Sequence, residues 1–154
     1  MEKSLHEILT EVEKQKSYKA KAEKLQEYET DGLKTILRGC FDKRIEWKLP
    51  TGKPPYTEST APDWDLADLH LIREARTLGR FATFEGRETN QSKGLNKLRL
   101  EQLYVQLLEG LHPSEANIVI EMVKKKLPYK GITAKIANRA FPELIPEDHM
   151  ILPK

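Results

Sequence analysis

The 154 residues carry 26 Lys and Arg against 24 Asp and Glu, a net charge of +2, and a single cysteine, Cys40. One cysteine excludes an internally disulfide-stapled scaffold, and so small a net charge excludes nucleic-acid or membrane attraction by the molecule as a whole. No apolar run reaches the length of a signal peptide or a spanning helix, so the chain reads as one soluble, cytoplasmic domain.

Ser4 and Glu7 form a capping-box pair, and Leu5, Ile8, Leu9 and Val12 then mark one helical face. Ser17 opens a second helix, with Ala22, Leu25 and Tyr28 among lysines and glutamates. Thr30 or Asp31 caps a third, which carries Leu33, Ile36, Leu37, Cys40 and Phe41. Alternation of Ile45, Trp47 and Leu49 predicts a short extended segment, a lone edge strand. Four prolines within residues 50–62 make the next stretch an extended strap, with Tyr56 and Trp64 laid on the core.

Leu66, Leu69, Ile72, Ala75 and Leu78 recur every three residues and predict a long helix from Asp63 or Asp65. Glu85 to Lys93 is polar, holds Gly86 and reads as an exposed loop. Ser92 is placed to cap the next helix, which buries Leu100, Leu103, Tyr104, Leu107 and Leu108 and ends at Gly110 as a left-handed residue. Pro113 falls at the first position of the following helix, where its missing amide costs nothing, and Pro128 ends that helix. Thr133 opens a short helix that stops at Phe141 before Pro142.

The expected fold class is therefore all-α, a compact bundle of about six or seven helices. One domain spans 1–145, with N-terminal helices at 4–42, the Pro-rich connection at 44–62 and C-terminal helices at 63–141. A loosely ordered tail is expected at 146–154.

Several segments carry a resemblance. They are Leu37-Arg38 with Phe41-Asp42, Leu49-Pro50-x-Gly52-x-Pro54-Pro55-Tyr56, Leu107-Leu108-Glu109-Gly110-Leu111-His112-Pro113 with Glu115-Ala116, Tyr129-Lys130-Gly131-Ile132-Thr133, and Ala140-Phe141-Pro142. Together they resemble a family of small proteins of unknown function encoded by T-even-like tailed phages, including those of cyanobacteria. The likeness runs from about Leu5 to Leu144. The resemblance implies a viral protein acting in the cytoplasm of an infected bacterium, or packaged in the virion. It transfers no catalytic residue. The charged second helix and the tail beyond Ile145 depart from the pattern.

Candidate chemistry is sparse. Asp63, Asp65 and Asp68 near His70 could bind a cation, but acidic residues at a first helical turn are what capping favours. His6, His70, His112 and His149 are dispersed with no zinc-ligand spacing, and His112 beside Pro113 reads as a helix cap. Cys40 lies on an apolar face with no visible base, and the glycines form no phosphate-cradling pattern. No catalytic residue, metal site or cofactor is expected.

Two surfaces remain. Lys124, Lys125, Lys126, Lys130, Lys135 and Arg139 form a run without an acidic residue, a candidate contact for DNA or RNA as well as a solvated or protein-binding face. Leu5, Ile8, Leu9 and Val12, with Trp47, Tyr56 and Tyr129, are candidates for a protein interface, set against the core role that the helical spacing of the first four favours. The leading expectation is a non-enzymatic phage accessory protein that binds a host or phage protein complex. Nucleic-acid binding and a structural place in the virion are the alternatives. Neither a membrane nor a small-molecule substrate is expected.

Overall fold

Hydroxyl caps set the first three helices of the computed structural model, which describes residues 3–57, 67 and 69–151. Helix α1 (Leu5–Glu13) starts at a complete capping box, the Glu7 amide donating to Ser4 Oγ at 3.1 Å and the Ser4 amide to the Glu7 carboxylate at 3.3 Å. Ser17 accepts from the Ala20 amide to open α2 (Tyr18–Glu27), and Thr30 from the Leu33 amide to open α3 (Asp31–Phe41). Each helix turns its apolar stripe inward. Leu5, Ile8, Leu9, Val12, Leu25, Leu33, Ile36 and Leu37 join one core.

Strand β1 (Ile45–Trp47) is an edge strand, but not a lone one. It pairs antiparallel with β2 (Ala82–Phe84), with Trp47 opposite Ala82, and β2 pairs with β3 (Arg87–Glu88). The molecule is therefore mostly helical with a small three-stranded sheet, and the all-α expectation is corrected. The supposed loop at 85–93 begins as a hairpin. Glu85 and Gly86 both have positive φ, 53° and 79°, the backbone a two-residue type I′ turn requires.

The expected long helix is also corrected. Its start at Asp63 or Asp65, like Trp64, Leu66 and Asp68, lies outside the described residues. The described part is one turn of α-helix, α4 (Leu71–Glu74), running into a 3₁₀ helix at Ala75–Phe81. Ala75, Leu78 and Phe81 are the buried residues of that 3₁₀ helix. A strict spacing of three is the period of a 3₁₀ helix, whose residues i and i+3 eclipse, rather than of an α-helix.

Helix α5 (Lys97–Gly110) is capped by Asn96, not Ser92; the buried Ser92 hydroxyl instead accepts from the Thr89 amide at 2.8 Å. Gly110 is the last residue of α5 and is not left-handed. Its requirement is space, because a Cβ there would meet the Leu69 side chain at 2.5 Å. Helix α6 (Pro113–Val123) has Pro at its first position and His112 Nδ1 accepting from the Ser114 amide. It ends well before Pro128, and Lys125 adopts a left-handed φ of 62°. Helix α7 (Ala134–Ala140), capped by Thr133, packs along α2.

The tail is docked rather than loose as far as Ile151. The Ile151 amide donates to the Phe41 carbonyl and the Lys43 amide to the His149 carbonyl, both at 2.8 Å. Asn138 clasps Ile145 by its amide and its carbonyl together.

Candidate functional site

The C-terminal end of α3 gathers Cys40, Asp42, Arg44 and Lys125. Asp42 is fully buried. Arg44 donates to it twice from its guanidinium, at 3.1 and 2.9 Å, and once from its backbone amide at 2.9 Å. Burial alone would raise the Asp42 carboxyl, but the Arg44 hydrogen bonds and charge outweigh it and hold the group below the usual carboxylate range. Beside it, the Lys125 ammonium donates to the carbonyls of Gly39, Asp42 and Ile45 at 2.7, 2.9 and 2.9 Å. Burial pushes Lys125 down to about 8, against the pull of Cys40 and Asp42. The ammonium takes up carbonyls that a helix C-terminus leaves without donors, and it holds β1 to α3.

Lys125 is thus turned inward, away from the surface where a nucleic-acid phosphate would lie. Of the six basic residues the sequence singled out, Lys124, Lys126, Lys130, Lys135 and Arg139 are exposed. Lys124 pairs with Glu121 at 3.3 Å. Lys126, Lys130, Lys135 and Arg139 make no ion pair among the described residues.

The Cys40 thiol is fully buried, donates to the Lys126 carbonyl at 3.4 Å and is pushed up to about 12 by burial. A nucleophilic cysteine needs an accessible thiolate, and this one has neither property.

A second buried carboxylate sits where helix N-termini converge. Glu115, at the third position of α6, accepts from the Leu5 amide of α1 and the Leu71 amide of α4, both at 3.3 Å. Burial raises its carboxyl above the usual range, against the two amides. Close by, His6 Nδ1 and the Tyr129 hydroxyl share a hydrogen bond of 2.7 Å, with burial lowering the imidazole.

The proposed protein-facing residues are distributed otherwise than an exposed anchor needs. Leu5, Ile8, Leu9 and Val12 are consumed by the core, and Tyr129 is buried. Trp47 is half-buried with its indole donating to the Gly39 carbonyl, and Tyr56 is half-buried against the core. These residues fix helices and strap to the interior, which is what their apolar spacing serves. Among the described residues the exposed large hydrophobics are Tyr18 and Leu98, 57% and 65% exposed. Sequence reasoning passed over both. Tyr18 was legible as the residue directly after a cap in an otherwise hydrophilic stretch.

Among the described residues the clefts are open to solvent. One of about 350 Å³ lies between Asp31 and Thr35 of α3 and Ile72, Arg73 and Arg76. Another runs along α1 past Lys3, His6 and Glu11. Among the described residues no three His, Cys, Asp or Glu are grouped to hold a metal, and no helix is long and apolar enough to cross a membrane.

The model of a family of unknown function (DUF6433) matches residues 8–129, and the chain belongs to that family. No curated protein matches the chain, and no solved structure does.

Proposed function

We propose, for this member of a family of unknown function, a non-enzymatic role as a bacteriophage accessory protein that binds a host or phage protein complex in the infected cell. The phage setting rests on the resemblance carried by the Leu-Pro-x-Gly-x-Pro-Pro-Tyr and Tyr-Lys-Gly-x-Thr segments. One observation carries the surface-borne role. The buried Cys40, Asp42 and Glu115 and the half-buried Lys125 are each engaged by backbone or by Arg44. None of them lines a cleft formed by the described residues as a free acid, base or nucleophile would. Capture of tagged protein from infected cells should enrich one macromolecular complex. Recovery of free monomer alone contradicts the proposal.

A second reading, nucleic-acid binding, is favoured by the exposed cations Lys126, Lys130, Lys135 and Arg139, which make no ion pair among the described residues. Affinity should then fall steeply with salt, because each neutralised phosphate releases counterions. No binding at low salt ends that reading. A place in the virion is decided by mass spectrometry of purified particles.

A further inference from the structure

The basic run at 124–139 does not stand alone at the surface. The turn before α7 lies against the corner between α1 and α2, more than a hundred residues away in the chain. The Lys130 amide donates to Glu13 Oε2 at 2.5 Å, and Lys21 Nζ donates to the Gly131 carbonyl at 3.2 Å. These two bonds bring Lys14, Lys16, Lys19 and Lys21 to the same end of the molecule as Lys130. Lys14, Lys16, Lys19 and Lys130 are exposed, Lys21 is half-buried, and none of the five forms an ion pair among the described residues. Glu13, the corner's own carboxylate, is turned onto the Lys130 amide. Between Lys16 and Lys19 stands Tyr18, 57% exposed at the start of α2.

A single exposed aromatic ring needs no explanation by itself. Set among cations, it has the composition of a surface that holds a phosphate backbone while an unpaired base stacks on the ring. A duplex keeps its base faces inside the stack, so it would offer Tyr18 nothing to cover. An acidic polypeptide without aromatic side chains would satisfy the lysines but brings no aromatic face to the ring.

We infer that the α1–α2 corner, Lys14, Lys16, Tyr18, Lys19 and Lys21, together with Lys130, forms a binding surface for single-stranded nucleic acid. The inference rests on the nucleic-acid reading above and moves its centre from α7 to this composite corner. Lys125 takes no part, and Lys126, Lys135 and Arg139 are peripheral.

Fluorescence anisotropy with the full chain and an oligothymidylate of about 12 nucleotides tests it, with a duplex of equal length and polyglutamate as comparison ligands. The single strand should bind best, and affinity should fall between about 50 and 200 mM salt. Replacing two lysines, Lys16→Gln with Lys19→Gln, should weaken binding about 25-fold near 0.1 M salt, since each lost phosphate contact is worth about fivefold there. Tyr18→Ala should cost about tenfold while Tyr18→Phe binds as the parent does. These side chains are exposed, and circular dichroism checks that each variant keeps its fold.

Four results overturn the inference in distinguishable ways. Binding weakened by Lys126→Gln/Lys135→Gln/Arg139→Gln but not by the corner variants keeps the nucleic-acid reading and removes this surface. A duplex bound as tightly as the single strand removes the single-strand assignment. Polyglutamate bound with equal affinity and no loss in Tyr18→Ala points to an acidic protein partner instead. No binding to any ligand at low salt removes both the surface and the reading beneath it.

Discussion

Asp42 and Glu115 are both carboxylates with no exposed surface, yet their surroundings move them in opposite directions. Asp42 sits at the C-terminal end of α3 and is answered by a guanidinium held by two hydrogen bonds. Glu115 sits within the first turn of α6 and is answered, among the described residues, by two backbone amides at the longer distance of 3.3 Å. A formal charge close at hand repays the loss of water, whereas two neutral donors repay it in part. The amides still matter, since the first turn of a helix has N–H groups without intrahelical partners. Glu115 ties the starts of α1 and α4 to the start of α6. Asp42 and Lys125 do the matching work at the other pole, tying the end of α3 to β1 and the tail.

The contrast can be broken by substitution. The largest effect is expected at Glu115. Glu115→Leu leaves the Leu5 and Leu71 amides buried without an acceptor and should cost about 4 kcal/mol in urea unfolding, two unmet donors at about 2 each. Glu115→Gln keeps one acceptor oxygen and should lose about half of that. A loss below about 1 kcal/mol for Glu115→Leu would mean that the amides find other partners.

Arg44→Met should cost about 3 kcal/mol, moderated by the partial exposure of the guanidinium. Here the two sites should part company. Adding Asp42→Asn to Arg44→Met should recover much of the loss, because no uncompensated charge is left. Among the described residues Glu115 has no cation whose removal could rescue it. A double variant no better than Arg44→Met would show that Asp42 serves mainly through its backbone bonds.

Lys125→Met removes the donor to three carbonyls while keeping the apolar stem, and should cost about 2 kcal/mol by thermal or urea unfolding. An unchanged midpoint would return Lys125 to the surface run from which the structure removes it.

The smallest effect is the pH dependence, where the signs oppose. Asp42 is depressed in the fold, so its contribution is complete above the unfolded value of 3.8 and is lost as pH falls through the folded one. Glu115 is raised, so its contribution is complete below 4.5 and is lost as pH rises through its folded value. The stability of the parent relative to Glu115→Gln should therefore decline as pH rises above 4.5. A rising difference reverses the assignment.

How much of this was legible in the sequence depends on how local the cause was. Ser4, Ser17, Thr30, Pro113 and Thr133 announce helix starts because capping is settled within four residues. The 3₁₀ helix at Ala75–Phe81 is written in a spacing of three that also suits the commoner α-helix. Strand β2 is three residues long and exists through its register with β1, a segment far back in the chain, so no local pattern marks it. The basic run was visible as composition. Its division into an interior Lys125 and an exterior remainder depends on where the carbonyls at the end of α3 fall, as the clustering of Lys130 with Lys14 to Lys21 depends on how α2 meets α7.

Residue-resolved ¹³C titration of the side-chain carboxyls in the folded protein measures the two buried sites directly. The expected result is an Asp42 midpoint below 3.8 and a Glu115 midpoint above 4.5, both acids committed to the fold by the partners described. Ordinary midpoints for both, or a Glu115 that titrates below Asp42, would contradict the division of labour between interior charges and surface that the proposed role rests on.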